Sequence, residues 1–305
     1  MTAPAARHAL ADALGDAVAF DVPLARYTSL RVGGPADAVA TPTDRRGLAR
    51  VLSICRAHGV PHRVLGAGFN TVVRDGGLAG VVIRLAKFRR LEARPDRGMR
   101  ADAGVSHSQV TRFCVRRGLA GLEFAAGIPG TVGGWLAMNA GIPGREMEAC
   151  VREIEVLSPT GRHTRHVARE RLHFVYRALR GLAPGSLILS VLFTVAISTP
   201  GEVKAEVDRL LARRAQTQPL DIPSCGSVFK NPPGDRAGRL IESAGLKGHR
   251  IGGAEVSTVH ANFIANQGGA SADDVLALIE HVRREVLSRH GVQLEREVHV
   301  IGRQP

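Results

Sequence analysis

The stretch Gly127-Ile-Pro-Gly-Thr-Val-Gly-Gly-Trp-Leu-Ala-Met-Asn-Ala-Gly141 carries five glycines and no charge. Glycine costs backbone entropy on folding, so a cluster inside an apolar run implies a need for bare backbone. Two needs fit: tight turns with positive φ, or close approach of a phosphate or flat ring to main-chain N–H groups. Pro129 fixes φ and removes a donor, which favours a rigid loop. A purely structural turn is the alternative. A second glycine-rich turn, Leu65-Gly-Ala-Gly-Phe-Asn70, follows the short strand pattern Pro61–Leu65. It lies between two strand-like runs rather than opening a helix, so it is not the dinucleotide fingerprint, although a backbone nest for a diphosphate fits. Near the C-terminus, alternation over 293–301 places Leu294, Val298 and Val300 on one face and Glu295, Glu297 and His299 on the other.

Residues 1–20 form an N-terminal extension with weak helical character. Helices are expected over 44–59, over 106–118 with Ser106 and Gly118 as caps, over 202–216, over 236–244, and over 271–290 closing at Gly291. Strands are expected over 80–85, 101–105, 151–157, 164–167 and 187–195, with shorter ones in 252–266 and a last one over 293–301. The composition shifts after Thr199-Pro-Gly201, which places a boundary there.

The bulk composition narrows the function. The chain has 305 residues and a net charge of +13, more than one core usually holds. Only four basic residues are lysine. The arginines are spread along the chain, often beside acids, and aromatics amount to 4%. That pattern fits small anionic ligands better than nucleic acid. Four scattered cysteines lack metal-ligand or disulfide-framework spacing and read as reduced small hydrophobes. No apolar run is long enough to span a membrane, and the N-terminus lacks the order of a signal peptide. A cytoplasmic protein with no metal and no membrane insertion is expected, monomeric by default.

With these segments in place, the chain resembles the UDP-N-acetylenolpyruvoylglucosamine reductases (the MurB family). The resemblance rests on seven pieces in the family's order: 28–35, 65–70, 127–141, Tyr176-Arg177, 226–232, 260–266 and 294–302. It implies an α+β fold: an FAD-binding region of the vanillyl-alcohol-oxidase (PCMH) type over 21–199, with subdomains of about 21–85 and 86–199, and a C-terminal α+β substrate-binding domain over 200–305. The chain looks like the shorter class, without the substrate-capping insertion after Tyr176-Arg177. The resemblance implies NADPH-dependent reduction, through non-covalent FAD, of the enolpyruvyl ether of UDP-N-acetylglucosamine to UDP-N-acetylmuramate, for peptidoglycan precursor synthesis.

Carried over position by position, the catalytic residues are Arg177, Ser227 and Glu297. Tyr176, Lys230 and Asn231 are the substrate contacts. Gly66, Gly68, Asn70, Gly127, Gly130, Thr131, Gly133, Gly134 and Asn139 are the cofactor contacts. Trp135 is expected in the core and His107 at a helix start. The chain departs from the family's usual pattern at Phe69, which removes a hydroxyl donor, and at Leu179, where a Ser is common.

Overall fold

The structure is a computed structural model that describes residues 3–304; the outermost residues of both terminal segments lie outside the described range. The chain divides into two compact units. The first comprises residues 3–20, Ala38–Ala67 and Gly80–Arg214, and the second Asp21–Asp37, Gly68–Ala79 and 215–304.

In the first unit, α1 (Pro4–Leu14) and α2 (Arg45–Ala57) share one core. Asp44 caps α2 by accepting from Gly47 N at 2.7 Å. Leu48, Val51, Leu52 and Cys55, spaced to one helical face, pack with Leu10 of α1 and with Val81 and Ile83. Val81 and Ile83 lie on a strand that runs parallel to His62–Val64.

The larger core lies on a five-stranded antiparallel sheet ordered Thr164–Ala168, Val151–Leu157, Leu187–Thr194, Gly98–Asp102, Leu91–Arg94. Three helices contribute to it. α3 (His107–Arg117) opens with a capping box between Ser106 and Gln109 and closes at left-handed Gly118. α4 (Val132–Ala137) forms inside the glycine stretch. Trp135 is 2% exposed and donates its indole N–H to Ile128 O at 3.0 Å, so it is a core residue as expected. α5 (Pro200–Thr217) buries only Val203 and Val207.

The second unit is built on a four-stranded antiparallel sheet ordered Ser224–Ser227, Phe263–Asn266, Ala254–Val256, Arg250–Ile251. α6 (Ala237–Ser243) and α7 (Ala272–His290) share its core, where Val275, Leu278, Ile279, Val282 and Val286 form the apolar stripe of α7. α7 starts at a Ser271–Asp274 capping box and stops at left-handed Gly291.

The segment 293–301 is only partly a strand. His299–Ile301 pairs in parallel with Thr71–Val73, and the residues before it make one isolated bridge, Arg296 to Phe229. Their partner bends around Phe229, so a regular ladder cannot continue. Leu294 and Val298 are buried and Glu295 and His299 exposed, as the alternation expects, but Arg296, in phase with Leu294, is exposed and Glu297 is half-buried, so the period holds only in part.

All four cysteines are free and buried. Burial pushes the thiol of Cys55 up to about 11 and those of Cys114, Cys150 and Cys225 up to about 12. They act as small hydrophobes.

Candidate active site

The first unit holds a cavity of about 580 Å³, a size typical of small-molecule sites. Four of the expected cofactor contacts line it: Gly66, Thr131, Gly133 and Gly134. The main chain explains how they meet. Val132 N donates to Val105 O and Gly133 N to Ala103 O, both at 2.9 Å, so the start of α4 docks on the turn before α3. His107 N donates to Gly130 O at 3.1 Å, which places His107 at the helix start as expected.

Two glycines keep the cradle open. A Cβ on Gly66 would stand 2.9 Å from Thr131 Oγ1. One on Gly104 would stand 1.9 Å from Leu85 O, an impossible approach, so strand and turn can touch only through glycine there.

Sequence reasoning missed the cavity's charge. Arg84, Arg89 and Arg112 line it, and none of its lining residues is acidic. Bare backbone, hydroxyls from Ser106 and Thr131, and three guanidinium groups suit a flat group carrying a diphosphate. The residues present therefore fit FAD. Arg84, Arg89 and Arg112 would hold the phosphates, and Gly66, Gly104 and Gly133 would leave room for the rest.

The remaining expected contacts stand elsewhere. Gly127 is covered by Arg214, whose Cδ would lie 2.8 Å from an added Cβ. Burial lowers the Arg214 guanidinium to about 10. Gly130 has φ +125° with open space around it. Asn139 is fully buried and hydrogen-bonded to protein at both ends of its amide. Gly68 and Asn70 belong to the second unit. A Cβ on Gly68, at φ +69°, would stand 2.1 Å from Tyr27 O.

Tyr176 and Arg177 form the two-residue turn of the hairpin His173–Val175 and Ala178–Arg180. Arg177 sits at φ +57°, in the left-handed region. Its guanidinium lies 4.8 Å from the Tyr176 ring centroid and donates to Glu146 Oε1 at 3.4 Å. Tyr176 is 43% exposed.

In the second unit, the segments that carry Ser227 and Glu297 are brought together. The strand Ser224–Ser227 shifts register against Phe263–Asn266, with Gly226 at φ +72°. Immediately after it, Val228 O accepts from Glu297 N at 2.8 Å and from Val298 N at 3.3 Å. Asn70 holds the Glu297 segment from its other side. Its Nδ2 donates to Glu297 O at 3.2 Å, and its own carbonyl accepts from His299 N at 3.1 Å.

Lys230 pairs with Glu295 on the neighbouring segment. Asn231 Oδ1 accepts from Ala237 N at 3.1 Å, so this amide tethers the first turn of α6.

Asn262 is what fixes the Ser227 segment. Its carbonyl accepts from Val228 N, and its side chain bonds Phe229 twice, Oδ1 from N at 2.9 Å and Nδ2 to O at 2.8 Å. Asn262→Ala leaves two buried backbone groups unpaired. At about 1–3 kcal/mol each, it is expected to cost roughly 2–6 kcal/mol, read as a lower denaturant midpoint at unchanged slope.

Among the described residues, no group of three His, Cys, Asp or Glu could hold a metal ion, and no helix is long and apolar enough to cross a membrane.

Comparison with known proteins accounts for both units' contents. A family model described as an FAD binding domain matches residues 36–166. Another, described as the C-terminal domain of UDP-N-acetylenolpyruvoylglucosamine reductase, matches residues 218–301. The chain is 43% identical over 296 residues to the UDP-N-acetylenolpyruvoylglucosamine reductase of Geotalea uraniireducens, covering 97% of this chain and 98% of that one. It is 46% identical to the same-named protein of Heliobacterium modesticaldum, over 92% of this chain and 89% of the relative. The crystal structure of the Thermus caldophilus reductase aligns with a TM-score of 0.79 at 37% identity, covering 93% of this chain and 98% of that one. With near-complete coverage at such identity, this chain belongs to the UDP-N-acetylenolpyruvoylglucosamine reductase family.

Proposed function

We propose that the chain reduces the enolpyruvyl ether of UDP-N-acetylglucosamine to the lactyl ether of UDP-N-acetylmuramate at the expense of NADPH, with Ser227, Arg177 and Glu297 as the catalytic side chains. When bound, FAD supplies the hydride chemistry between NADPH and the terminal carbon of the substrate. The protein's share is to hold the substrate, stabilise the charge that develops beside its carboxylate, and deliver one proton.

Arg177 presents a planar fork to the carboxylate or enolate oxygen. Ser227 Oγ–H protonates the carbon that bears the carboxylate, and Glu297 polarises that end of the substrate and relays the proton. Tyr176 and Lys230 face the sugar nucleotide, Lys230 as a point charge for phosphate once it leaves Glu295. Asn231 orders the same loop through its bond to α6. The observation that carries this reading is the direct main-chain link between the Ser227 and Glu297 segments through Val228 O. A hydroxyl and a carboxylate on adjacent segments are the minimum equipment for a proton delivery. The setting is the cytoplasm, in peptidoglycan precursor synthesis, which also ties the activity to cell shape and division.

The test is an anaerobic absorption spectrum of the purified protein. Flavin bands should bleach with NADPH and return on adding the enolpyruvyl sugar nucleotide without oxygen. Bands that return only with air would replace this reading with an oxidase on the same fold.

A further inference from the structure

The turn that carries Arg177 is anchored by a carboxylate that neither motif nor cofactor cradle explains. Asn139 is fully buried at φ +40°, and its amide is used at both ends. Its Oδ1 accepts from Glu148 N at 3.0 Å. Its Nδ2 donates to Val175 O at 3.3 Å, two residues before Arg177, and to Glu146 Oε2 at 2.8 Å. The other oxygen of Glu146 accepts from Arg177 Nη1 at 3.4 Å.

We propose that Glu146 is the positioning residue for Arg177, a carboxylate pinned to buried Asn139 that sets the direction of the guanidinium. This rests on the role assigned to Arg177 above.

Three features carry it. The carboxylate is fixed by a buried amide, so in this pair the arginine follows the carboxylate. The side chains are only 19% and 26% exposed, so the pair is not a solvated surface contact of the kind that contributes little. And Arg177 holds a left-handed backbone conformation that a side chain other than glycine adopts reluctantly. Such strain persists where surrounding structure over-determines it, and it clusters at functional sites. Here both the backbone at Val175 and the guanidinium are tied to Asn139, one directly and one through Glu146.

One N–H of Arg177 goes to Glu146, and this tether orients the fork. Misdirection of a charged group by about 1 Å can cost ~100-fold in rate.

The experiment separates the two half-reactions by anaerobic stopped-flow on the FAD-loaded wild type, Glu146→Gln and Glu146→Ala. Gln keeps the volume but cannot accept from Asn139 and Arg177 with both ends. The expected result is a wild-type rate of flavin reduction by NADPH in both variants. Reoxidation by the enolpyruvyl sugar nucleotide should slow by roughly 10-fold in Glu146→Gln and ~100-fold in Glu146→Ala.

In an Arg177→Ala background, Glu146→Ala should add nothing further, as expected of one coupled unit. Reoxidation at the wild-type rate would overturn the proposal. So would parallel loss of both half-reactions with loss of bound FAD, which would make Glu146 a structural residue only. Failure of the parent reading shows separately, as wild-type reduced flavin that the sugar nucleotide does not reoxidise, and that result also removes this proposal.

Discussion

Replacing Ser227 with alanine is expected to leave FAD binding and flavin reduction by NADPH unchanged while slowing reoxidation by the substrate about 10²–10⁴-fold, the range that general acid catalysis contributes. The structure makes this a clean substitution. Ser227 is half-buried at the end of its strand, and its Oγ enters no side-chain hydrogen bond among the described residues. The segment is held by main-chain pairing with Phe263 and by Asn262, neither of which needs the hydroxyl. Removing Oγ therefore deletes a proton and leaves the scaffold. A serine hydroxyl is a weak acid in water, so the loss should depend on its surroundings, and the nearby Glu297 segment is the obvious source. The measurement is single-turnover reoxidation of reduced enzyme without oxygen. Turnover at the wild-type rate would remove Ser227 as proton donor and send the search to Glu297.

The sequence and the structure agree best where the signal is local. Ser106 and Gly118, or Ser271 and Gly291, announce a helix start and stop through bonds that span three or four residues, and each helix ends there. α4 carries no helix signal in the sequence because its first residues include Gly133 and Gly134, poor helix formers. Six residues are also too few to show a period. Its helical form is imposed from outside, by Ala103 and Val105 accepting its first N–H groups.

The three asparagines Asn70, Asn139 and Asn231 show a second limit. Each was expected to meet a ligand, and each spends amide atoms on protein. Nothing in the residue type separates these uses, because the partner is chosen by tertiary approach: Asn70 and Glu297 are 227 residues apart. The cradle's arginines were hidden for a different reason. In a chain with 41 basic residues, no local pattern singles out Arg84, Arg89 and Arg112.

Gly66→Val tests the cradle itself, and the expected outcome is a folded, colourless protein. Gly66 does not have positive φ, so valine escapes left-handed backbone strain there. Its Cβ would lie 2.9 Å from Thr131 Oγ1, a hydroxyl that can rotate away, whereas the added methyls enter the cavity between Gly66 and Thr131. The cost falls on the ligand and not on the chain. Wild-type apoprotein should gain about 2.7 kcal/mol of stability at a hundredfold excess of FAD over its dissociation constant. The variant should gain none while melting near the apoprotein temperature. That pairing separates lost binding from lost folding: an unchanged apo transition shows the unit is intact, and an absent FAD shift shows the cradle is filled. A Gly66→Val protein that purifies yellow, with the wild-type FAD-dependent rise in melting temperature, would place the cofactor outside this cavity and return Arg84, Arg89 and Arg112 to the surface charge of the chain.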